Sequence, residues 1–286
     1  MSNASIPSRR SLLGGLTATW FIVNSAPSFA QLLGPSVDLS TILARNELRV
    51  ALPTFDSAPF FYARDGRLEG SDIDMARDIG REIGVEVIFT RSATTFDGVV
   101  DVIAGGGADV AICKLSRTLH RERVIRFTQP YLVLKHALAL HRVRFAELAR
   151  DREPEGVLRS FVGSIGVIQG SSFSDFARVN FPRAEIVEMP SWNAVLAAVR
   201  SGQIIGAYRD EFEIKKILLD DPAALLTLRT VTLSDLTDTL GMAVPTGFGH
   251  LHAFLDMFIT ERVRNTSVAV VLARYQKLTR EENRVD

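Results

Sequence analysis

Short apolar runs and amphipathic runs alternate along most of the chain. In its first half, apolar runs at residues 48–52, 85–89 and 108–113 predict buried strands. Between them, apolar residues at helical spacing predict two helices, which Ser71 and Thr95 can cap at their N-termini. The resulting β-α-β-α-β order predicts a mainly parallel sheet flanked by helices.

A second series of the same kind begins after residue 150. Its apolar runs predict strands at residues 162–168, 185–188 and 204–208. Ser172 and Ser191 can cap the helices between these strands. A second mainly parallel sheet with flanking helices is therefore expected.

The two series predict two α/β lobes within one chain. Segments 135–141 and 239–244 look extended and are placed to act as two hinge strands between the lobes. Lobe 1 then consists of residues 46–138 and 242–286, and lobe 2 consists of residues 139–241. A chain that crosses twice in this way makes a hinge over a cleft.

Composition excludes several classes of protein. With 286 residues, 47% hydrophobic and 23% charged, the chain can bury a sizeable core and is neither disordered nor collagen-like. Its 33 basic and 33 acidic side chains cancel, which argues against a nucleic-acid-binding protein with a basic surface. Cys113 is the one cysteine, so an intramolecular disulfide and a multi-cysteine metal site are both excluded.

The first 30 residues have the pattern of an export signal. Arg9 and Arg10 precede an apolar run at residues 12–23, and small residues flank a cleavage point after Ala30. The arginine pair, within Ser-Arg-Arg-Ser-Leu-Leu, resembles the twin-arginine signal; a general-secretion signal or an uncleaved anchor are the alternatives. The expected location is the periplasm.

Signatures of catalysis are absent from the sequence. It contains no His-Glu-x-x-His, Gly-x-Ser-x-Gly, Walker loop or Cys-x-x-Cys. His250 and His252 are two positions apart, so they do not share a helical face and do not predict a metal pair. No cofactor, metal or catalytic residue is predicted, although a pair assembled from distant residues stays open.

An ordered set of short sequence pieces points to a family. The pieces are Glu47-Leu48-Arg49-Val50, Pro59-Phe60, Gly70-Ser71-Asp72-Ile73-Asp74, Phe96-Asp97-Gly98, Ala108-Asp109-Val110, Thr118 to Arg121, Phe127 to Tyr131, Gly170-Ser171-Ser172 and Asp210. In this order they resemble the bacterial extracellular solute-binding proteins of family 3, which mostly carry polar amino acids to ABC importers. The resemblance implies an α/β, two-lobe periplasmic-binding-protein-like fold of type II.

The resemblance also implies roles for five polar residues. Arg121, in the Thr-x-x-Arg piece, would grip a ligand carboxylate through its guanidinium fork. Ser116 would line the same loop, and Thr118 would cap the short helix that aims the arginine. From the other lobe, Ser172 at a helix start would bind the carboxylate, and Asp210 would pair with the ammonium.

Three further residues complete the predicted ligand site. Phe96 and Phe60 would provide apolar walls. Lys114 stands where the family usually has a small residue, and its cation would oppose a ligand ammonium unless the side chain turns away. It could instead meet an acidic side chain, or indicate a ligand without a free amine.

The main functional hypothesis is a monomeric periplasmic receptor that closes on a small polar ligand, most simply an amino acid, for an ABC transporter permease. The first alternative is an enzyme on the same scaffold, similar to cyclohexadienyl dehydratase, with Lys114 or Glu211 as proton donor. The second is a sensory ligand-binding module.

Overall fold

The computed structural model describes residues 37–150, 152, 154–263 and 266–282. The predicted export signal, residues 1–30, lies outside the described residues. The helices are α1 (Val37–Arg45), α2 (Ser71–Ile83), α3 (Phe96–Ala104), α4 (Leu119–Glu122), α5 (Arg142–Ala149), α6 (Pro154–Arg159), α7 (Ser172–Asn180), α8 (Trp192–Arg200), α9 (Glu211–Asp220), α10 (Gly249–Arg262) and α11 (Val268–Glu282). The strands are β1 (Glu47–Pro53), β2 (Tyr62–Arg64), β3 (Arg67–Glu69), β4 (Glu86–Ala93), β5 (Val110–Ala111), β6 (Ile125–Phe127), β7 (Leu132–His141), β8 (Ser164–Ile168), β9 (Glu185–Met189), β10 (Gly206–Asp210), β11 (Leu228–Leu240) and β12 (Ala243–Pro245).

The first sheet has the strand order β4-β1-β5-β12-β6. Strand β1 runs parallel to β4 and β5, as the first β-α-β-α-β series predicts. Strand β12 comes from the last part of the chain and pairs antiparallel with β5 and β6. The chain therefore returns to complete the first lobe, whose buried apolar residues include members of α1, α2, α3, α10 and α11.

The second sheet has the strand order β11-β7-β10-β8-β9. Strand β8 lies between β9 and β10 and is parallel to both. Strands β7 and β11 form a long antiparallel pair that runs from the pairing of His141 with Leu228 to that of Leu132 with Leu240. This sheet forms the centre of the second lobe.

The two-lobed α/β architecture agrees with the sequence, but each sheet is mixed rather than mainly parallel. The antiparallel pairings come from the segments that cross between lobes, because a strand that enters a lobe from its neighbour runs against the strands of the local series. The predicted hinge segment 135–141 lies within β7, whereas 239–244 covers the end of β11, the junction at 241–242 and the start of β12. Short stretches around residues 128–131 and 241–242 join the sheets. The lobe boundaries given above stay a prediction.

Of the four caps predicted from the two strand-and-helix series, two are correct and two are displaced by one residue. Thr95 and Ser191 cap α3 and α8 through bonds from the backbone N–H of Gly98 and Ala194. Ser71 and Ser172 are instead the first residues of α2 and α7.

Close packing explains the displaced cap of α2. Gly70 precedes this helix with a φ of 124°, and a Cβ there would lie 2.2 Å from the carbonyl oxygen of Phe60. Only glycine fits this position, so Ser71 stands one place later, at the first position of the helix.

Helix α9 joins the cores of the two lobes. It follows β10 of the second sheet, yet its buried Phe212 packs edge-on against Phe60 of the first lobe, with ring centroids 5.4 Å apart. Phe212 also contacts Tyr275 of α11. Among the described residues, none of the helices combines the length and the apolarity that crossing a membrane requires.

Candidate functional site

Loops from both lobes enclose a small cavity. From the first lobe come the start of α3 and the loop from β5 to α4; from the second come the start of α7, the end of β10 and one residue of β11. The lining residues are Phe96, Lys114, Ser116, Arg121, Ser171, Ser172, Phe173, Arg209, Asp210 and Asp238. The cavity measures about 10 Å³, which is on the order of one water molecule.

The structure brings six of the eight predicted site residues together at this cavity: Arg121, Asp210, Ser116, Ser172, Phe96 and Lys114. Thr118 and Phe60 do not line it. Thr118 caps α4 by accepting a bond from the backbone N–H of Arg121 at 3.2 Å. Phe60 is a fully buried core residue beneath Lys114, whose Nζ lies 5.0 Å from the ring centroid.

Arg121 is buried, and its guanidinium is held by two partners. Its Nε and Nη2 donate to Oδ1 of Asp97 at 3.0 and 2.8 Å. Its Nη1 donates to the carbonyl oxygen of Ser116 at 3.0 Å. Because the side chain of Asp97 is 52% exposed, this carboxylate can exchange its place on the guanidinium for water with little desolvation cost.

Lys114 crosses the cavity and meets acidic side chains of the other lobe. Its Nζ lies 2.6 Å from Oε1 of Glu213 and 3.0 Å from Oδ2 of Asp210. The aromatic ring of Phe212 also lies near this ammonium, with its centroid at 5.2 Å. Of the alternatives left open by the sequence, the structure therefore selects the acidic partner.

The backbone of Lys114 is also fixed. Its φ is 55°, a left-handed conformation that a lysine seldom adopts. Its N–H lies 2.7 Å from Oδ2 of Asp72 and 3.1 Å from the hydroxyl oxygen of Tyr131. Burial raises the pKa of Asp72 to about 6, although the hydrogen bonds that Oδ2 of Asp72 accepts from the backbone N–H of Lys114 and from the hydroxyl of Tyr131 lower it.

Asp210 is at once a helix cap and an ion-pair partner. Its Oδ1 accepts from the backbone N–H of Glu213 at 3.2 Å, which caps α9. Burial alone would raise the pKa of the Asp210 carboxyl, but the cations of Lys114 and Arg209 outweigh burial and hold this pKa below its usual range. The Asp210 carboxylate is therefore charged at neutral pH.

Two charged residues of the cavity were missed at the sequence level. Arg209 lies between the rings of Phe96 and Trp192, at 5.8 and 5.6 Å from their centroids, and 3.6 Å from Oδ2 of Asp210. It occupies the fourth position of a strand that is buried throughout, where a cation is uncommon.

The second missed residue is Asp238, which is 1% exposed and accepts a bond from Oγ of Ser116 at 3.1 Å. Burial, followed by the nearby charge of Asp210, raises the pKa of Asp238 to about 7, although Ser116 and the cations of Lys114 and Arg121 lower it. In the sequence it stands in a polar run at residues 234–239 that has no apolar periodicity. Only its pairing with Leu134 of β7 brings it into the cavity wall.

A larger groove of about 440 Å³ adjoins the cavity, and Phe96 and Arg209 line both. Aromatic residues from both lobes form much of its wall: Phe55, Phe96, Trp192 and Tyr275. Its charged residues have partners within the protein, since Asp56 pairs with Arg91 and Lys216 pairs with Asp220. The groove is therefore an aromatic extension of a charged cavity.

The described residues offer neither a metal site nor a reactive thiol. They contain no group of three or more His, Cys, Asp or Glu side chains arranged to hold a metal ion. The thiol of Cys113 is fully buried, and this burial raises its pKa well above the usual range, so that it stays protonated.

Comparison with known proteins identifies relatives. The family model described as bacterial extracellular solute-binding proteins, family 3, matches residues 48–275. A probable histidine-binding protein of Campylobacter jejuni is 26% identical over 164 residues, which span 57% of this chain and 60% of the length of that relative.

Solved structures share the fold. An amino acid ABC transporter substrate-binding protein of Streptococcus pneumoniae, bound to L-arginine, superposes with a TM-score of 0.64 at 25% identity, covering 83% of this chain and 96% of its own. A binding component of an ABC transporter from Wolinella succinogenes, complexed with lysine, gives 0.65 at 19% identity, covering 81% and 96%. An ancestral amino-acid-binding protein described as a precursor of cyclohexadienyl dehydratase gives 0.64 at 20% identity, covering 83% and 98%.

Proposed function

The chain belongs to the bacterial extracellular solute-binding proteins, family 3, and from that membership we propose that it captures a free amino acid between its lobes for an ABC importer. The observation that carries this proposal is the cavity itself, where buried cations of the first lobe and buried carboxylates of the second lobe face one space. A free amino acid presents a carboxylate and an ammonium, and each needs an opposite charge when it leaves water.

Arg121 is the proposed partner of the ligand carboxylate. Its guanidinium already binds a carboxylate, since Nε and Nη2 both donate to one oxygen of the half-exposed Asp97. A ligand can therefore replace Asp97, which returns to water. Ser172, at the first position of α7 and lining the same cavity, adds the N-terminus of that helix to the anion site.

Capture requires the lobes to separate and close again. A cavity of about 10 Å³ is far smaller than any amino acid, so the solute enters only when the lobes move apart. Because the lining comes from both lobes, a bound solute favours the closed arrangement, which a membrane partner can recognise. The proposed partner is an ABC transporter permease, and the proposed location is the periplasm.

We propose binding without catalysis. An enzyme similar to cyclohexadienyl dehydratase needs a proton donor, for which Lys114 and Glu211 are the sequence candidates. Lys114 is held between Asp210 and Glu213. Glu211 pairs with Lys215 and accepts a bond from the backbone N–H of Lys135 at 2.9 Å. Neither group is available to protonate a leaving hydroxyl.

A thermal-shift screen of the purified protein against amino acids and small carboxylates tests the proposal. A ligand at a hundred times its dissociation constant adds about 2.7 kcal/mol of stability. For a domain of this size, that corresponds to a rise in melting temperature of about 5 to 10 °C. No shift with any amino acid would contradict the proposed function, and turnover of prephenate or arogenate would contradict binding without catalysis.

A further inference from the structure

Asp210, the residue that the family resemblance assigns to the ligand ammonium, already has its partners. Its Oδ2 lies 3.0 Å from Nζ of Lys114 and 3.6 Å from Nε of Arg209. Its Oδ1 accepts the backbone N–H of Glu213. A ligand ammonium that approached Asp210 would therefore compete with cations that the protein itself supplies.

Lys114 is not easily displaced. Its side chain is 2% exposed, its Nζ has Glu213 as a second carboxylate partner, and the rings of Phe60 and Phe212 lie near the ammonium. An ammonium that loses a buried carboxylate partner keeps its desolvation cost without the compensating attraction. The ion pair between Lys114 and Asp210 therefore persists when a solute binds.

Asp238 is a second buried carboxylate of the cavity, and one of its oxygens has no hydrogen-bond partner among the described residues. It lines the same cavity and is equally buried, and its Oδ2 accepts the hydroxyl of Ser116. Its Oδ1 has no hydrogen-bond partner among the described residues. A buried carboxylate oxygen without a donor is unfavourable, and an ammonium brings three donors.

Ser116 links this carboxylate to the proposed carboxylate-binding arginine. The backbone oxygen of Ser116 accepts from Nη1 of Arg121 at 3.0 Å, and its hydroxyl donates to Oδ2 of Asp238 at 3.1 Å. One residue thus holds a cation and an anion at a fixed, short separation. A free amino acid carries its carboxylate and its ammonium on one carbon, so both ends need partners that lie near each other.

We infer that Asp238, rather than Asp210, receives the ammonium of the captured amino acid, an inference that rests on the proposed function. Asp238 is then a specificity-determining residue of the site, which selects solutes that carry an amine beside the carboxylate. Lys114 and Asp210 act as a fixed neutralising pair in the cavity wall.

The ionisation of Asp238 adds a pH signature. Burial and the charge of Asp210 raise the pKa of Asp238 to about 7, while Ser116, Lys114 and Arg121 act in the opposite direction. An ammonium binds the ionised carboxylate, so affinity for an amino acid should fall as the pH is lowered through about 7.

Two titratable groups of the same sheet, Tyr208 and His136, do not change charge near pH 7. Burial raises the pKa of Tyr208, which faces the Asp238 charge, and lowers the pKa of His136, the hydrogen-bond partner of Tyr208, to about 4. Asp72, beside the backbone of Lys114, does titrate near pH 6. A variant that changes only Asp238 separates its contribution from that of Asp72.

The test compares Asp238→Asn with wild type by isothermal titration calorimetry. The probes are L-arginine, L-lysine and L-histidine, each beside its des-amino analogue. The asparagine variant keeps the shape of the side chain and removes a buried charge, so we expect it to fold. Asp235→Asn is the matched control, because it makes the same change at an exposed position of the same strand, β11.

We expect Asp238→Asn to weaken binding of the amino acid by at least about 30-fold. The ratio of the affinity for the amino acid to that for its des-amino analogue should fall close to one. The fall in affinity from about pH 8 to about pH 7 should disappear, which leaves the contribution of Asp72 near pH 6. Asp235→Asn should change none of these.

The inference would be overturned if Asp238→Asn still preferred the amino acid to its des-amino analogue and kept the pH dependence of affinity, especially if Asp210→Asn lost both. The proposed function would then still stand. Equal affinity of the wild type for an amino acid and its des-amino analogue would also overturn it. Binding of none of the three amino acids or their analogues to the wild type would count against both the proposed function and the inference.

Discussion

Replacing Lys114 by methionine tests the charge arrangement on which the site depends. Methionine preserves the length and the apolar stem of the side chain, so the substitution mainly deletes the ammonium. That ammonium has two carboxylate partners, at 2.6 and 3.0 Å, and all three groups are buried. After the substitution, Asp210 keeps Arg209 nearby, whereas Glu213 is left without its ammonium partner.

The expected loss of stability is large. Removing one partner of a buried ion pair typically costs about 3 to 5 kcal/mol, because the remaining charge keeps its desolvation penalty. For a domain of this size, each kcal/mol corresponds to about 2 to 4 °C, so the melting temperature should fall by about 6 to 20 °C near pH 8. Lys277→Met is the control, since Lys277 and its partner Glu281 are exposed and such pairs contribute about 1 kcal/mol or less.

The sign of the pH dependence follows from the pKa of Asp210. In the wild type, this pKa lies below its usual range, so the pairing stabilises the fold at neutral pH and is lost only in strong acid. Without Lys114, burial would act on the Asp210 carboxylate with less opposition, so Asp210 would take up a proton more readily and the variant would recover stability on acidification.

Differential scanning calorimetry near pH 8 and near pH 5 measures both effects. The deficit of Lys114→Met should be larger near pH 8 than near pH 5. A variant that melts within about 2 °C of the wild type near pH 8, or one whose deficit does not change with pH, would refute the buried ion-pair reasoning.

Three further predictions concern ligand capture and export. Arg121→Ala should weaken amino-acid binding at least about 30-fold while its circular dichroism spectrum stays that of the wild type. Arg123→Ala, at an exposed position, should bind as the wild type does. Equal affinities of Arg121→Ala and the wild type in calorimetry would exclude Arg121 from the site. Gly170→Ala should cost about 1 to 2 kcal/mol of stability because φ at this position is 62°, and it should also weaken binding because a Cβ there lies 3.0 Å from Cβ of Thr95 in the other lobe. Gly66→Ala, at a φ of 73° with open space around it, should lose stability alone. Unchanged affinity in Gly170→Ala would show that the contact with Thr95 does not limit closure. N-terminal sequencing of the periplasmic fraction should begin at Gln31, and a cytoplasmic protein that retains Met1 would contradict export.

Much of the site could be predicted because the family resemblance points to its residues, and these residues stand at the ends of predicted strands and helices. Thr118 and Arg121 follow a buried strand, and Ser172 follows the turn before a helix. Such positions gather at the same edge of each sheet, so residues far apart in sequence can be expected near one cleft. Phe60 was placed at this cleft by resemblance, yet it lies in the core because Phe212 of the other lobe covers it.

Asp238 shows where local pattern stops being informative. In sequence it resembles Asp235, three positions earlier in the same polar run, yet Asp235 is exposed and Asp238 is buried. Two positions an odd number apart face opposite sides of a regular strand, but the pairing of β11 with β7 shifts between Leu233 and Thr237, so alternation alone does not say which of the two faces the interior. A shift of register changes which side chains of a strand face the interior, and no periodicity within the strand announces it.

The sequence by itself determined the alternation of strands and helices, the two-lobed α/β plan and the chain positions of the candidate ligand groups. The alternation and the two-lobed plan depend on side-chain periodicity and on short capping motifs, which act over a few residues, whereas the ligand groups were assigned through the family resemblance. Only the tertiary structure decided which charges meet, since Lys114 finds Glu213 across 99 positions and Ser116 finds Asp238 across 122. Burial and opposite charge set the ionisation of a buried group, and both come from neighbours that folding supplies.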